Sequence, residues 1–180
     1  MKLKGVNLLM RVKELIDEIK ILPNCKVYPP KGLPKIDSGK HRLPDDIKEF
    51  YQYCGGIVLF KSESYSSNIV PPDEFVLANP VIVGELCEED ITSEWYIIVD
   101  DGNGDYLTID LSSDRLGRCY DSYWDRHGIV GECPIIAKSF TELLENLVLN
   151  KGNQCYWLKS EFTPIGDAYD GINVDKKTSR

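Results

Sequence analysis

The sequence predicts an α+β fold: a mostly antiparallel sheet with a central meander, packed against helices in the N-terminal part and near residues 139–150. Three observations carry this. Two strand-like runs, EWYIIV (94–99) and DYLTIDL (105–111), flank a turn, DDGNG, rich in residues that accept positive φ. Segments 7–20 and 140–150 space their apolar residues at helical intervals. The chain has 180 residues, enough for one domain to bury a core without disulfides or metals.

In chain order, Leu8, Val12, Leu15, Ile16 and Ile19 form one apolar stripe, with Asn7 as N-cap and Pro23 as the stop. Residues 28–43 hold three prolines, two glycines and several lysines and read as a long loop after a short strand near Val27. Pro44, Asp45 and Asp46 open a second helix with Ile47, Phe50, Tyr51 and Cys54 on its buried side. Gly55-Gly56 is expected to cap it in the left-handed region. Ile57 to Phe60 starts a strand, Ile69 and Val70 are extended, Pro71-Pro72-Asp73 turns, and Glu74 to Leu77 makes a helical turn before the apolar run Val81 to Val83. The meander comprises Glu94–Val99, Asp105–Leu111 and Leu116–Asp121. In its middle strand Tyr106, Thr108 and Asp110 alternate with Leu107, Ile109 and Leu111, so one face is the more apolar. Pro134 to Ile136 is another strand. Ser139 and Glu142 fit a capping box for a helix whose inner side is Phe140, Leu143, Leu144, Leu147 and Val148. A last strand is expected near Tyr156 to Leu158. Residues 1–170 are expected to form a single domain and 171–180 a frayed tail.

The net charge of -8 is unevenly spread. Residues 1–50 carry +4, residues 51–150 carry -13 and residues 151–180 carry +1. The acidic middle repels phosphate backbones, which argues against direct nucleic-acid binding. It either serves as a solvated surface or attracts a basic partner and speeds encounter with it. The acids concentrate at Glu85, Glu88, Glu89, Asp90 and Glu94, then at Asp100 and Asp101 in the turn. Tyr123 and Trp124, beside Tyr120, either cap the core edge or anchor an interface. These nine residues, Glu85 to Glu94, Asp100, Asp101, Tyr123 and Trp124, are the candidate partner-binding set.

Catalytic and cofactor patterns are weak. Asp101, Asn103 and Asp105 match the start of a calcium loop, but Tyr106 stands where glycine is required and Ser112 where the bidentate glutamate belongs. Six cysteines form no C-x-x-C pair, only His41 and His127 could pair with one as an imidazole base, and the abundant carboxylates make any acid/base pair uninformative. No G-x-S-x-G elbow or phosphate loop occurs. We therefore expect no cofactor, no metal and no enzyme. No apolar run suits a signal peptide or a membrane helix, so reduced thiols and a cytoplasmic location are expected.

The order LPDDIKEFYQYCGG (43–56), SNIVPPDEFVLANPVIVG (67–84), EWYIIVDDGNGDYLTIDL (94–111) and AKSFTELLENLV (137–148) resembles the SUKH superfamily of yeast Smi/Knr regulators and many bacterial proteins. The resemblance runs from about Leu43 to Val148. It implies an α+β fold without a catalytic motif, with Gly56, Trp95, Gly104, Asp105 and Phe140 as fold determinants. For bacterial members it implies immunity proteins that bind polymorphic or contact-dependent toxins, often nucleases; for yeast members, regulatory scaffolds with long tails. The absence of such tails points to the bacterial branch and to a basic protein toxin as partner, with a Smi/Knr-type scaffold as the alternative. The lysine-rich loop 28–43 departs from the family pattern.

Overall fold

A computed structural model describes residues 8–172, with side chains in the first helix from Arg11 onward. Asn7, the Leu8 side chain and the tail beyond Ile172 lie outside the described residues. The elements are α1 (Leu8–Lys20), β1 (Lys26–Val27), α2 (Asp45–Tyr53), β2 (Ile57–Leu59), β3 (Ser67–Ile69), α3 (Ala78–Ile82), β4 (Trp95–Asp100), β5 (Tyr106–Asp110), β6 (Cys119–Ser122), β7 (Ile135–Ala137) and α4 (Phe140–Asn150). All seven strands lie in one sheet in sequence order, and each neighbouring pair is antiparallel. The expected meander thus extends over the whole sheet.

Several local expectations are corrected. Glu94 ends a 3-10 turn, Ile91–Glu94, and the strand begins at Trp95. The third meander strand starts at Cys119, because Gly117, at φ 88°, turns the chain before it. Residues Tyr156–Leu158 form a 3-10 turn, which buries the rings of Tyr156 and Trp157 beside α4. The run Val81 to Val83 belongs to α3 and its C-terminus. Gly55-Gly56 is not a left-handed helix cap: α2 ends at Tyr53, and Cys54 is already extended. Gly55 is needed for space instead. A Cβ there would lie 2.3 Å from the Pro29 carbonyl oxygen. That approach lets Gly55 N–H donate to Tyr28 O and Tyr28 N–H donate to Gly56 O, which carries the β1–β2 pairing into the loop.

The helices α1, α2 and α4 pack together over one face of the sheet. Val12, Leu15, Ile16 and Ile19 of α1 are buried, as are Ile47, Phe50 and Tyr51 of α2 and Phe140, Leu143, Leu144 and Leu147 of α4. An edge-to-face chain of rings runs from Phe140 through Phe50 and Tyr51 to Phe75. Asp46 joins two helix starts: its carboxylate accepts from Ile47 N–H on α2 and from the N–H and hydroxyl of Thr141 on α4. Ser139 caps α4 as predicted, accepting from Glu142 N–H, while the Glu142 carboxylate accepts from Lys138 N–H.

The alternation in β5 holds, but its polar side is not solvated. Cross-strand pairing puts Trp95, Ile97, Thr108, Asp110, Tyr120 and Ser122 on the second face. All six are buried there. Their polar groups satisfy one another. Thr108 and Ser122 hydroxyls meet at 2.7 Å. Asp110 accepts from Trp95 Nε1–H at 3.1 Å, Arg115 Nε–H at 2.9 Å, Tyr120 O–H at 3.2 Å and Ser112 N–H at 2.8 Å. The Trp95 and Tyr120 rings stack at 4.2 Å above it.

Replacing Asp110 by alanine strands four donors, three of them buried and the fourth the part-buried Arg115 guanidinium. We expect a loss of about 3–5 kcal/mol of unfolding free energy in urea titrations. A loss below 1 kcal/mol, on the order of a surface change, would show that water replaces the carboxylate.

Candidate interaction surfaces

The second sheet face is covered by α3, the loop 83–94 and the loop 123–134, and one asparagine ties the three. Asn79 of α3 donates from Nδ2 to Leu86 O and to Thr92 Oγ1, both at 2.9 Å. Its Oδ1 meets His127 Nε2 at 2.6 Å. Tyr169 then closes the seam, donating to Asp90 Oδ1 and to Gly128 O.

The nine predicted partner-binding residues do not form one surface. Glu85, Glu88, Glu89, Asp90 and Glu94 lie before β4, while Asp100 and Asp101 lie at its far end, about 17 Å away along a strand of six residues. Tyr123 and Trp124 join the far group, because Trp124 N–H donates to Asp105 Oδ1.

Within the first group the carboxylates divide by role. Asp90 caps the 3-10 turn, accepting from Thr92 N–H and Thr92 O–H in addition to Tyr169. Glu94 pairs with Arg115 at 3.4 Å and stands 3.7 Å from His41 Nε2. Both therefore hold the fold. Glu85, Glu88 and Glu89 are exposed and have no hydrogen-bond or ion-pair partner among the described residues. Beside them in the chain, Val81, Val83 and Leu86 are 48%, 47% and 47% exposed. Sequence reasoning missed these three: the run Val81 to Val83 reads only as apolar, and in it only Ile82 is partly buried. A detectable signal was the absence of any lysine or arginine between Lys61 and Arg115, a stretch with thirteen acids.

In the second group Asp100 accepts from Gly102 N–H, and Asp101 accepts from the N–H groups of Asn103 and Asp105. These bonds set the turn, and each carboxylate remains only partly buried. Trp124 is 74% exposed. Tyr123 is half-buried, with its hydroxyl 3.3 Å from Cys155 Sγ and the Arg126 guanidinium 5.0 Å over its ring. Tyr120 belongs to the core under Trp95.

Three buried thiols and both imidazoles are not poised for nucleophilic chemistry. Burial pushes Cys133 up to about 12 and Cys54 up to about 11, and raises Cys119 strongly. A thiolate is the reactive form, so these thiols are inert at neutral pH. His41 is hydrogen-bonded to Tyr96 and His127 to Asn79, neither to a cysteine. Because the Asn79 amide nitrogen is committed elsewhere, its oxygen faces His127, and Nε2 must carry the proton. The imidazole is neutral: burial drives it down to about 4. Its Nδ1 is buried and has no partner among the described residues. No helix among the described residues is long and apolar enough to cross a membrane.

A seven-strand antiparallel meander with helices on one face and a polar, loop-covered second face agrees with the resemblance read from the motifs, and the comparisons settle the class. Residues 40–146 match the SMI1 / KNR4 family (SUKH-1), and the chain belongs to that family. A particular relative is the immunity protein YokJ of Bacillus subtilis (strain 168), 55% identical over 166 residues that span 92% of this chain and 100% of that protein. No solved structure matches the chain.

The folded His127 titrates near 4 and the unfolded one near 6.5, so between these values the unfolded chain binds the extra proton. Stability from this residue is complete above about pH 6.5 and is lost as pH falls toward 4, at up to about 1.4 kcal/mol per pH unit. Urea midpoints measured from pH 7.5 to 4.5 should fall more steeply for the native chain than for His127→Gln, whose amide can still donate to Asn79. Parallel curves would contradict a buried neutral imidazole.

Proposed function

We propose that this protein is a non-catalytic immunity protein that acts in the cytoplasm by binding and covering a cognate toxin. The similarity to a protein named as an immunity protein over nearly the full chain supports that class. The observation that carries the mode of action is the patch at 81–89, where exposed Val81, Val83 and Leu86 sit among the uncommitted acids Glu85, Glu88 and Glu89. Apolar side chains supply burial at an interface centre, and rim charges steer encounter and set partner choice. The complementary partner surface is basic with an apolar centre. A nuclease toxin fits, since its working surface must approach phosphate, and an acidic inhibitor seated there competes with the nucleic acid.

The two exposed groups at opposite ends of β4 favour one further reading, a Smi/Knr-type scaffold that engages two non-toxin partners at once. The readings separate in a pull-down with tagged protein from the source cells, washed at rising salt. Immunity gives one basic toxin-domain protein in stoichiometric amount. Several unrelated proteins give the scaffold.

Charge reversal of Glu85, Glu88 and Glu89 to lysine, which spares the structural Asp90, should slow association with the captured toxin by about tenfold or more at low salt and flatten its salt dependence. Surface plasmon resonance with unchanged on-rates would place the interface elsewhere.

A further inference from the structure

A cavity of about 140 Å³ opens between the turn at 64–67, the turn at 100–106 and the segment 153–157. Its wall combines two carboxylates, Asp101 and Asp105, with the rings of Tyr65, Tyr106, Tyr123 and Trp157. No lysine or arginine among the described residues lines it. Arg126 and Lys159, which contact the wall residues Tyr123 and Asn150, are engaged with Asp121 and with the Asn150 side-chain oxygen. The acid charge of the wall is thus left without a cation among its lining residues.

The carboxylates are held in place but not used up. Asp101 Oδ1 takes two turn N–H groups, Asp101 Oδ2 accepts only a long 3.4 Å bond from Asn103 Nδ2, and Asp105 Oδ1 takes Trp124 N–H, while Asp105 Oδ2 has no hydrogen bond among the described residues. Exposed aromatic surface adjoins them: Tyr65 is 48% exposed, and Trp124, tethered to Asp105, is 74% exposed. Aromatic faces attract cations, and a carboxylate beside the ring adds direct charge and hydrogen-bond acceptors that fit a planar guanidinium. The volume holds about four to five waters at ~30 Å³ each, the scale of a guanidinium with its first methylenes.

We propose that this cavity is a socket for an arginine side chain presented by the protein partner, with Asp101 and Asp105 as the charge contacts, the tyrosine rings as walls and Trp124 as a lid resting on the partner's surface. This deepens the immunity reading and rests on it for the source of the arginine. It places a second contact at the end of β4 opposite the 81–89 patch.

The test has two arms. In the first, the full chain is titrated with methylguanidinium and, separately, with neutral N-methylurea, followed by amide and indole NMR shifts. Saturable shifts at residues 64–67, 101–107 and Trp157, at least about tenfold weaker with the urea and about tenfold weaker in Asp101→Asn/Asp105→Asn, support the socket. Asparagine keeps the Oδ1 acceptors that set the turn, so the double variant retains the local fold. No saturable shift, an equal response to N-methylurea, or an unchanged response in the variant overturns it. In the second arm the variant is measured against the captured toxin. A loss of at least tenfold in affinity supports the arginine contact, and unchanged affinity overturns it while leaving immunity standing. If no toxin is captured the immunity reading fails and the arginine source with it, and the first arm still decides whether the cavity takes a guanidinium.

Discussion

The buried carboxylate of Asp110 is the constraint around which this sheet is organised. An ionised side chain at the middle of a sheet is tolerable only when every acceptor position is filled. Trp95 on β4, Tyr120 on β6, Arg115 in the following turn and the Ser112 amide fill them. The register of three strands is therefore fixed by one group, since a slip by one residue would turn Asp110 toward the helices. The same requirement explains the cover on the second face. Water must be kept from the Trp95–Tyr120 stack, and His127, edge-on to Trp95, does this while held by Asn79.

From this follows a division of labour among the acids. Asp46, Asp90, Asp110 and Asp121 hold elements together, with Asp121 accepting from Trp157 Nε1–H and Tyr123 N–H. Burial raises the pKa of Asp121 even so, and Arg126 at 3.3 Å only partly offsets that. Glu85, Glu88 and Glu89 hold nothing together among the described residues. A count of charges along the chain cannot separate the two kinds, and the excess over residues 51–150 overstates the surface available to a partner.

This marks how far the sequence was legible. The helices at 8–20, 45–53 and 140–150 and the hairpin at DDGNG follow from periodicity, capping and turn chemistry, all local signals. What was missed depends on tertiary cover. Thr108 and Asp110 read only as the less apolar side of their strand, because alternation reports polarity, not what lies above it. Val81 and Val83 read only as an apolar run, because apolar type does not reveal which helix side finds a neighbour. Gly55 looks like a helix cap, yet its constraint is the Pro29 carbonyl, far along the chain. Of the candidate site, the residue types were legible, but their split between the two ends of β4 was not, since Asp90 and Glu94 are internal partners only in three dimensions.

The helix layer closes over long separations while the sheet does not. Each strand pairs with the strands just before and just after it, whereas Arg11 of α1 reaches Glu145 of α4 and Asp46 reaches Thr141. In the order of synthesis, the sheet can grow strand by strand as the chain leaves the ribosome. The apolar stripe of α1, by contrast, waits for a partner made some 134 residues later. Until then Val12, Ile16 and Ile19 have chiefly α2 and β1 for cover, so a chain shortened before α4 would expose them. A nascent chain of this protein thus carries an exposed apolar stripe on α1 until α4 is made and shelters it.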